Sequence, residues 1–119
     1  MRMRAARGAI VVAADDAAVV LAATERLLRE LLVRNAIADE DLVSILFTAT
    51  EDLRAVFPAE AARRIGLGRV PLLCAREIPV EGSMPRVVRV LVHFHSEVGL
   101  DEVVHVYLDG AESLRDDLD

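Results

Sequence analysis

A single cysteine, Cys74, stands in the whole chain. No intrachain disulfide framework is open to it, and so sparse a use of thiols fits a reducing compartment. Aromatic residues reach only 3% against 54% hydrophobic residues overall, so the core has to be built from Ala, Val, Leu and Ile. A chain this apolar is globular, not disordered. Long hydrophobic runs are missing as well. The beginning, MRMRAARGAIVVAADD, has the basic-then-apolar look of a signal peptide, but Asp15 and Asp16 end the run early. No stretch approaches the roughly 18 residues of a membrane span, and a cytoplasmic protein with no membrane partner is expected. Basic charge is in deficit: 14 basic residues face 20 acidic ones for a net charge of -6. That balance argues against nucleic acid as the main partner while leaving room for a local cationic site. No internal repeat or low-complexity segment breaks the 119 residues, which read as one domain, 1–119, near the size where subunit contacts supply part of the burial.

Two further absences remove whole chemistries. Gly66-x-Gly68 lacks both a following Lys-Ser/Thr and a strand-loop-helix order, so there is no phosphate loop. His93 and His95 lie two apart on one strand and therefore share a face. His105 is on another strand, however, and no Cys or acidic residue has ligand spacing, so no metal is expected. Cys74 as a nucleophile would need a neighbouring His and an orienting group; a buried structural thiol is the commoner case.

What is present reads as strands and helices in mixed order. Met3 to Ala13 is a first strand. Asp15 or Asp16 caps a helix running to about Arg34, in which Val20, Leu27, Leu28 and Leu31 recur at helical spacing and Glu25–Arg29 and Glu30–Arg34 form i,i+4 pairs. Asn35 ends it. After a short acidic turn from Asp39, Leu42 to Thr48 is a strand apolar at nearly every position, as expected when both faces are covered. Pro58 suits the first turn of a short helix through Ile65, with Glu60 and Arg63 or Arg64 in reach of one another. Then comes VPLLCAREIPVEGSMPRVVRVLVHFH, Val70 to His95, which is two strands around a Gly- and Pro-containing loop. VVHVYLDG is a final strand, and AESLRDDLD a polar, loosely held tail. The expected architecture is α/β or α+β: one mixed five-stranded sheet packed by one long and one or two short helices.

The functional clue lies in the two-strand stretch. Arg89 sits among Val87, Val88, Val90 and Leu91, and Glu77 at the end of the preceding strand. A guanidinium cannot be neutralised by losing a proton, so an Arg in an apolar strand calls for a partner anion or an anionic ligand. With Arg7, Arg63 and Arg115 and with Tyr107 on the last strand, the set suits a small polyanion bearing a hydroxyl and does not suggest acid–base or covalent chemistry.

Several stretches together resemble a known family: RGA at Arg7 to Ala9, TATEDLRAVFPAEAAR from Thr48 to Arg63, VPLLCAREIPV around Cys74 and Glu77, RVVRVLV around Arg89, and HVYLDGAESLRDDL from His105 to Leu118. They resemble the monofunctional, trimeric chorismate mutases of the AroH class, over nearly the whole chain and in order. The resemblance implies conversion of chorismate to prephenate by a [3,3] rearrangement. It also implies that no cofactor, metal or covalent intermediate is involved, and that the sites lie in clefts between subunits of a pseudo-barrel homotrimer. It implies that Arg89 donates to the ether oxygen as the C–O bond breaks and that Glu77 binds the ring hydroxyl with Cys74 beside it. Arg7 and Tyr107 would hold the side-chain carboxylate. Phe57 and Ala59 of the neighbouring subunit would wall the cleft with Leu72 and Leu73, Arg63 would lie near the ring carboxylate, and Arg115 would help close the site. Glu60 departs from the Lys usual in the family, and Leu73 stands where a small hydroxyl residue is common. On this reading Glu77 and Arg89 need not pair with each other, because the substrate comes between them. The alternatives are a trimeric imine or enamine deaminase of the RidA type, which also uses a strand Arg to hold a carboxylate, and a non-catalytic small-molecule-sensing trimer.

Overall fold

The structure, a computed structural model, describes residues 1–118, with side chains for residues 1–114. Five strands form one sheet in the order β3-β2-β4-β1-β5, where β1 is Arg2–Val11, β2 Leu42–Ala49, β3 Leu72–Arg76, β4 Val87–Ser96 and β5 Val106–Leu108. β4 runs antiparallel to both β1 and β2, while β5 and β3 lie parallel to β1 and β2 at the two edges. The sheet is therefore mixed, and with its two helices the fold is α+β, as expected.

One helix does most of the covering. Helix α1 (Ala17–Arg34) starts where the Asp16 carboxylate accepts the Val19 N–H at 3.1 Å, and it ends at Asn35, whose side-chain amide donates to the Leu31 carbonyl at 2.9 Å. Its buried stripe of Val20, Leu21, Thr24, Leu27, Leu28 and Leu31 lies on the sheet. Of the two ion pairs expected along its outer face, Glu30–Arg34 closes at 3.1 Å. Gly8 on β1 permits the close approach: a Cβ there would meet Leu31 Cδ1 at 2.9 Å and Leu27 Cδ1 at 3.0 Å. Helix α2 (Glu60–Arg64) is a single short turn and a half after Pro58, burying Ala61 and Ala62 against the same side.

Alternation then divides each strand between two environments. Ala6, Gly8 and Ile10 of β1, Ile45 and Phe47 of β2, and Val88, Val90, Val92 and Phe94 of β4 are buried on the helical side. Their neighbours point the other way, onto a face that neither α1 nor α2 covers. β2 is thus apolar at most positions although only one face is packed within the chain. Part of the second face is closed at one end by the segment Ala111–Leu118, where Ala111 is fully buried and Leu114 packs with Ala9, Val87 and Tyr107. The tail is therefore held at its start, more firmly than its polar composition suggests.

Candidate active site

The uncovered face of the sheet is built in rows. Register places Ala75, Thr48, Arg89, Ala9 and Tyr107 side by side across all five strands. The next row is Leu73, Leu46, Leu91 and Arg7. Between these rows lies a cavity of about 260 Å³ lined by Arg7, Gly8, Leu46, Thr48, Arg89, Val90, Leu91 and Tyr107.

Arg7 is held through its backbone, whose N–H donates to Nδ1 of His105 at 3.0 Å. The acceptor is a ring nitrogen, so the His105 imidazole anchors β1 at Arg7. His93, on the same face, pairs with the Ser44 hydroxyl at 3.2 Å. Among the described residues no group of three or more His, Cys, Asp or Glu could hold a metal ion.

Glu77 and Arg89, which the sequence reading did not require to pair, form an ion pair within the chain. Nε of Arg89 donates to Oε2 of Glu77 at 2.9 Å. The same oxygen accepts the Thr48 hydroxyl at 2.7 Å. Glu77 is the more enclosed partner, its side chain 18% exposed against 44% for Arg89. An ion pair this open to water is worth about 0–1 kcal/mol, so its weight lies in orientation and not in stability. With Nε engaged, the two terminal amino groups of Arg89 keep their donors for a ligand, and Oε1 of Glu77 keeps its lone pairs. Chemically, the pocket can bind a small carboxylate-bearing molecule, donate from a fixed guanidinium to oxygen within it, and accept from a hydroxyl.

The remaining residues named from sequence lie elsewhere in the chain. Cys74, expected beside Glu77, pairs in register with Phe47 and so lies on the side of the sheet opposite Thr48 and Arg89. There it lines a second cavity of about 490 Å³ together with Leu53, Arg54, Phe57, Pro58 and Arg76. Leu72 shares that side and packs on the core, whereas Leu73 is exposed on the uncovered face. Phe57 is 74% exposed, and Ala59 is buried within its own chain, offering a neighbour almost no side-chain surface. Glu60 and Arg63 approach each other at 3.8 Å on α2. The side chain of Arg115 lies outside the described residues. Thr48 was not singled out from sequence. Its signal was parity: with Ser44 it is one of two hydroxyls on an otherwise apolar strand, both on the uncovered face.

The match to known proteins is full-length. The model of the family "Chorismate mutase type I" matches residues 3–118. The chain belongs to the type I chorismate mutase family. It is 51% identical over 118 residues to chorismate mutase AroH of Thermus thermophilus, covering 98% of this chain and 97% of that one. It is 39% identical over 119 residues to chorismate mutase AroH of Bacillus subtilis (strain 168), covering 99% and 94%. Among solved structures, chorismate mutase from Clostridium thermocellum superimposes with a TM-score of 0.90 at 40% identity, over 92% of this chain and 97% of that one. Membership in the chorismate mutase family sets aside the deaminase and sensor readings.

Proposed function

We propose that the chain, one domain spanning residues 1–119, catalyses the rearrangement of chorismate to prephenate as a cytoplasmic homotrimer with neither metal nor cofactor. The observation that carries the mechanism is the convergence of Arg7, Arg89 and Tyr107 on one pocket with Glu77 at its edge. Chorismate is a dicarboxylate with a ring hydroxyl and an ether bond to break. Arg7 and Tyr107 hold its side-chain carboxylate, Oε1 of Glu77 accepts from its hydroxyl, and the amino groups of Arg89 donate to the ether oxygen. Negative charge builds on that oxygen only as the C–O bond breaks, so a preorganised donor there stabilises the transition state more than the ground state. Gripping both ends of a flexible substrate also holds it in the compact geometry the rearrangement needs.

The pocket, at about 260 Å³, is smaller than most ligand sites, which run from about 300 Å³ upward. Its missing wall is the reason for reading the site as shared: Phe57, Leu73 and Arg63 of a neighbouring subunit would complete it, with Cys74 and Leu72 behind them, and Arg115 would close it. Exposed Phe57, Leu73, Ile78 and Val80 are apolar surface that such an assembly would cover. Glu60 in place of a family Lys, paired with Arg63, lowers the positive charge offered to the substrate and raises its KM without abolishing turnover.

The test is direct. Purified protein added to chorismate should remove its ultraviolet absorbance, and sedimentation should give three chains per particle. A folded protein that leaves chorismate intact overturns the catalytic reading; a monomer that turns over at the full rate overturns the shared site.

A further inference from the structure

We propose that Thr48 is a positioning residue for this reaction: its hydroxyl pins the Glu77 carboxylate, and through it fixes the plane of the Arg89 guanidinium. The inference rests on the rearrangement proposed above. Three features carry it. The Thr48 hydroxyl donates to Oε2 of Glu77 at 2.7 Å, and that same oxygen accepts Nε of Arg89 at 2.9 Å, so one atom joins all three side chains. Thr48 stands directly opposite Arg89 in the β2–β4 register, so the hydroxyl is set by the rigid centre of the sheet. Glu77, by contrast, is the first residue beyond β3, followed by a loop to β4; its backbone N–H reaches the Ala49 carbonyl at 3.1 Å, which ties its main chain but leaves its side chain free to turn.

A carboxylate has two ways to meet an arginine. It can accept from Nε at the side of the guanidinium, or it can face the paired terminal amino groups. The second arrangement would fill the donors that the ether oxygen needs. Thr48 favours the first, because a charge-assisted bond to Oε2 holds the carboxylate at the Nε side and turns Oε1 away from the arginine. Without the hydroxyl, Glu77 competes with the substrate for Arg89. Thr48 need not touch the substrate to do this; it acts through Glu77.

The experiment compares Thr48→Val, which keeps the shape and removes the hydroxyl, with Thr48→Ser, which keeps the hydroxyl. On the intact protein, Thr48→Val should lower kcat roughly tenfold with KM within about twofold, at an unchanged melting temperature, and Thr48→Ser should recover most of the loss, as expected for one charge-assisted hydrogen bond. In an Arg89→Lys background Thr48→Val should add less than about twofold, because the group it orients is gone. Should the Val variant not fold, Thr48→Ala against Thr48→Ser gives the same contrast. Wild-type turnover in Thr48→Val, equal losses in the Val and Ser variants, or full additivity with Arg89→Lys would each overturn the inference. Absence of turnover in the unaltered protein would instead overturn the reading on which it rests.

Discussion

The two faces of the sheet are made by the same strands and obey different rules. On the helical side, Ile45, Phe47, Val88, Val90, Val92 and Phe94 are buried almost completely in one apolar cluster. On the other, Leu46 and Leu91 share rows with Arg7, Thr48, Arg89 and Tyr107, and most of these residues stay partly open within a single chain. Residues one apart in sequence are thus set to serve fold and chemistry separately: Val88 and Val90 are buried in the core, and Arg89 between them lines the pocket on the other face. Stability and turnover should therefore come apart when adjacent residues are changed.

The largest expected effect is on the packed face. Phe47→Ala should cost about 3–5 kcal/mol of unfolding free energy, because a fully buried ring leaves a cavity among Leu and Val side chains that cannot collapse onto it. Denaturant unfolding measures this. A loss under about 1 kcal/mol would show that the helical face is not the main core. On the other face Arg89→Lys should leave the unfolding midpoint nearly unchanged while lowering kcat about 10²–10³-fold. Lysine keeps the charge but loses Nε and the planar fork, so it cannot bind Glu77 and donate to the substrate in one fixed orientation. Turnover within about threefold of the unaltered protein would break the proposed division of labour between the faces.

That division also explains what could be read in the sequence and what could not. Periodicity located α1 to its caps, because Asp16 and Asn35 are polar residues at the ends of an unambiguous apolar stripe. Five strands were legible for the same reason. Two details were not. β5 shrinks to Val106–Leu108 although VVHVYL reads as a longer strand, because the Asn35 side chain takes both hydrogen bonds of Val104, accepting its N–H and donating to its carbonyl, each at 2.8 Å. A side-chain amide standing in for a strand partner leaves no trace in hydropathy. The apolar character of β2 was read as burial on both faces, whereas within this chain one of them is open; covering by a second subunit and covering by a helix give the same residue pattern. The cationic site was legible through Arg89, since a charge in an apolar strand is conspicuous. Thr48, Leu46 and Gly8 were not, since they become neighbours of Arg89 only once register is fixed.

A change at Gly8 tests how far the two faces are mechanically coupled. Gly8→Ala would push a methyl against Leu31, Leu27 and the Val106 carbonyl, the last at 3.2 Å. Overpacking of this kind costs about 1–3 kcal/mol. With Leu27 and Leu31 held in the packed core, relief comes from β1 moving away from α1, toward the pocket between Arg7 and Ala9. Both the unfolding midpoint and kcat should therefore fall, kcat by a few fold. A stability loss with unaltered turnover would mean that the leucines give way and that the packed face absorbs changes without passing them on.

The smallest effect concerns the end of the sheet, where neither face is involved. The Thr50 hydroxyl donates to Oδ1 of Asp52 at 2.6 Å, and the backbone N–H of Arg86 reaches the same carboxylate at 3.0 Å. Arg86 has a φ of 55°, a left-handed conformation uncommon for a residue with a side chain, and the Asp52 carboxylate holds it there at the start of β4. The Thr50 hydrogen bond, followed by those of the backbone and the charge of Arg86, lowers the Asp52 pKa below its ordinary value. A carboxyl group with a depressed folded-state pKa binds protons less readily folded than unfolded, so its contribution is complete above the ordinary aspartate range and disappears as pH falls through the lowered value. The unfolding midpoint of the unaltered protein should exceed that of Asp52→Asn at pH 6, and the two should converge as the pH drops below about 4. Turnover, with no proton transfer in the rearrangement, should stay nearly flat across neutral pH in both proteins. A bell-shaped profile between pH 6 and 8 would instead place a titrating group in the catalytic step, and the uncovered face would then hold an acid or base besides its fixed charges.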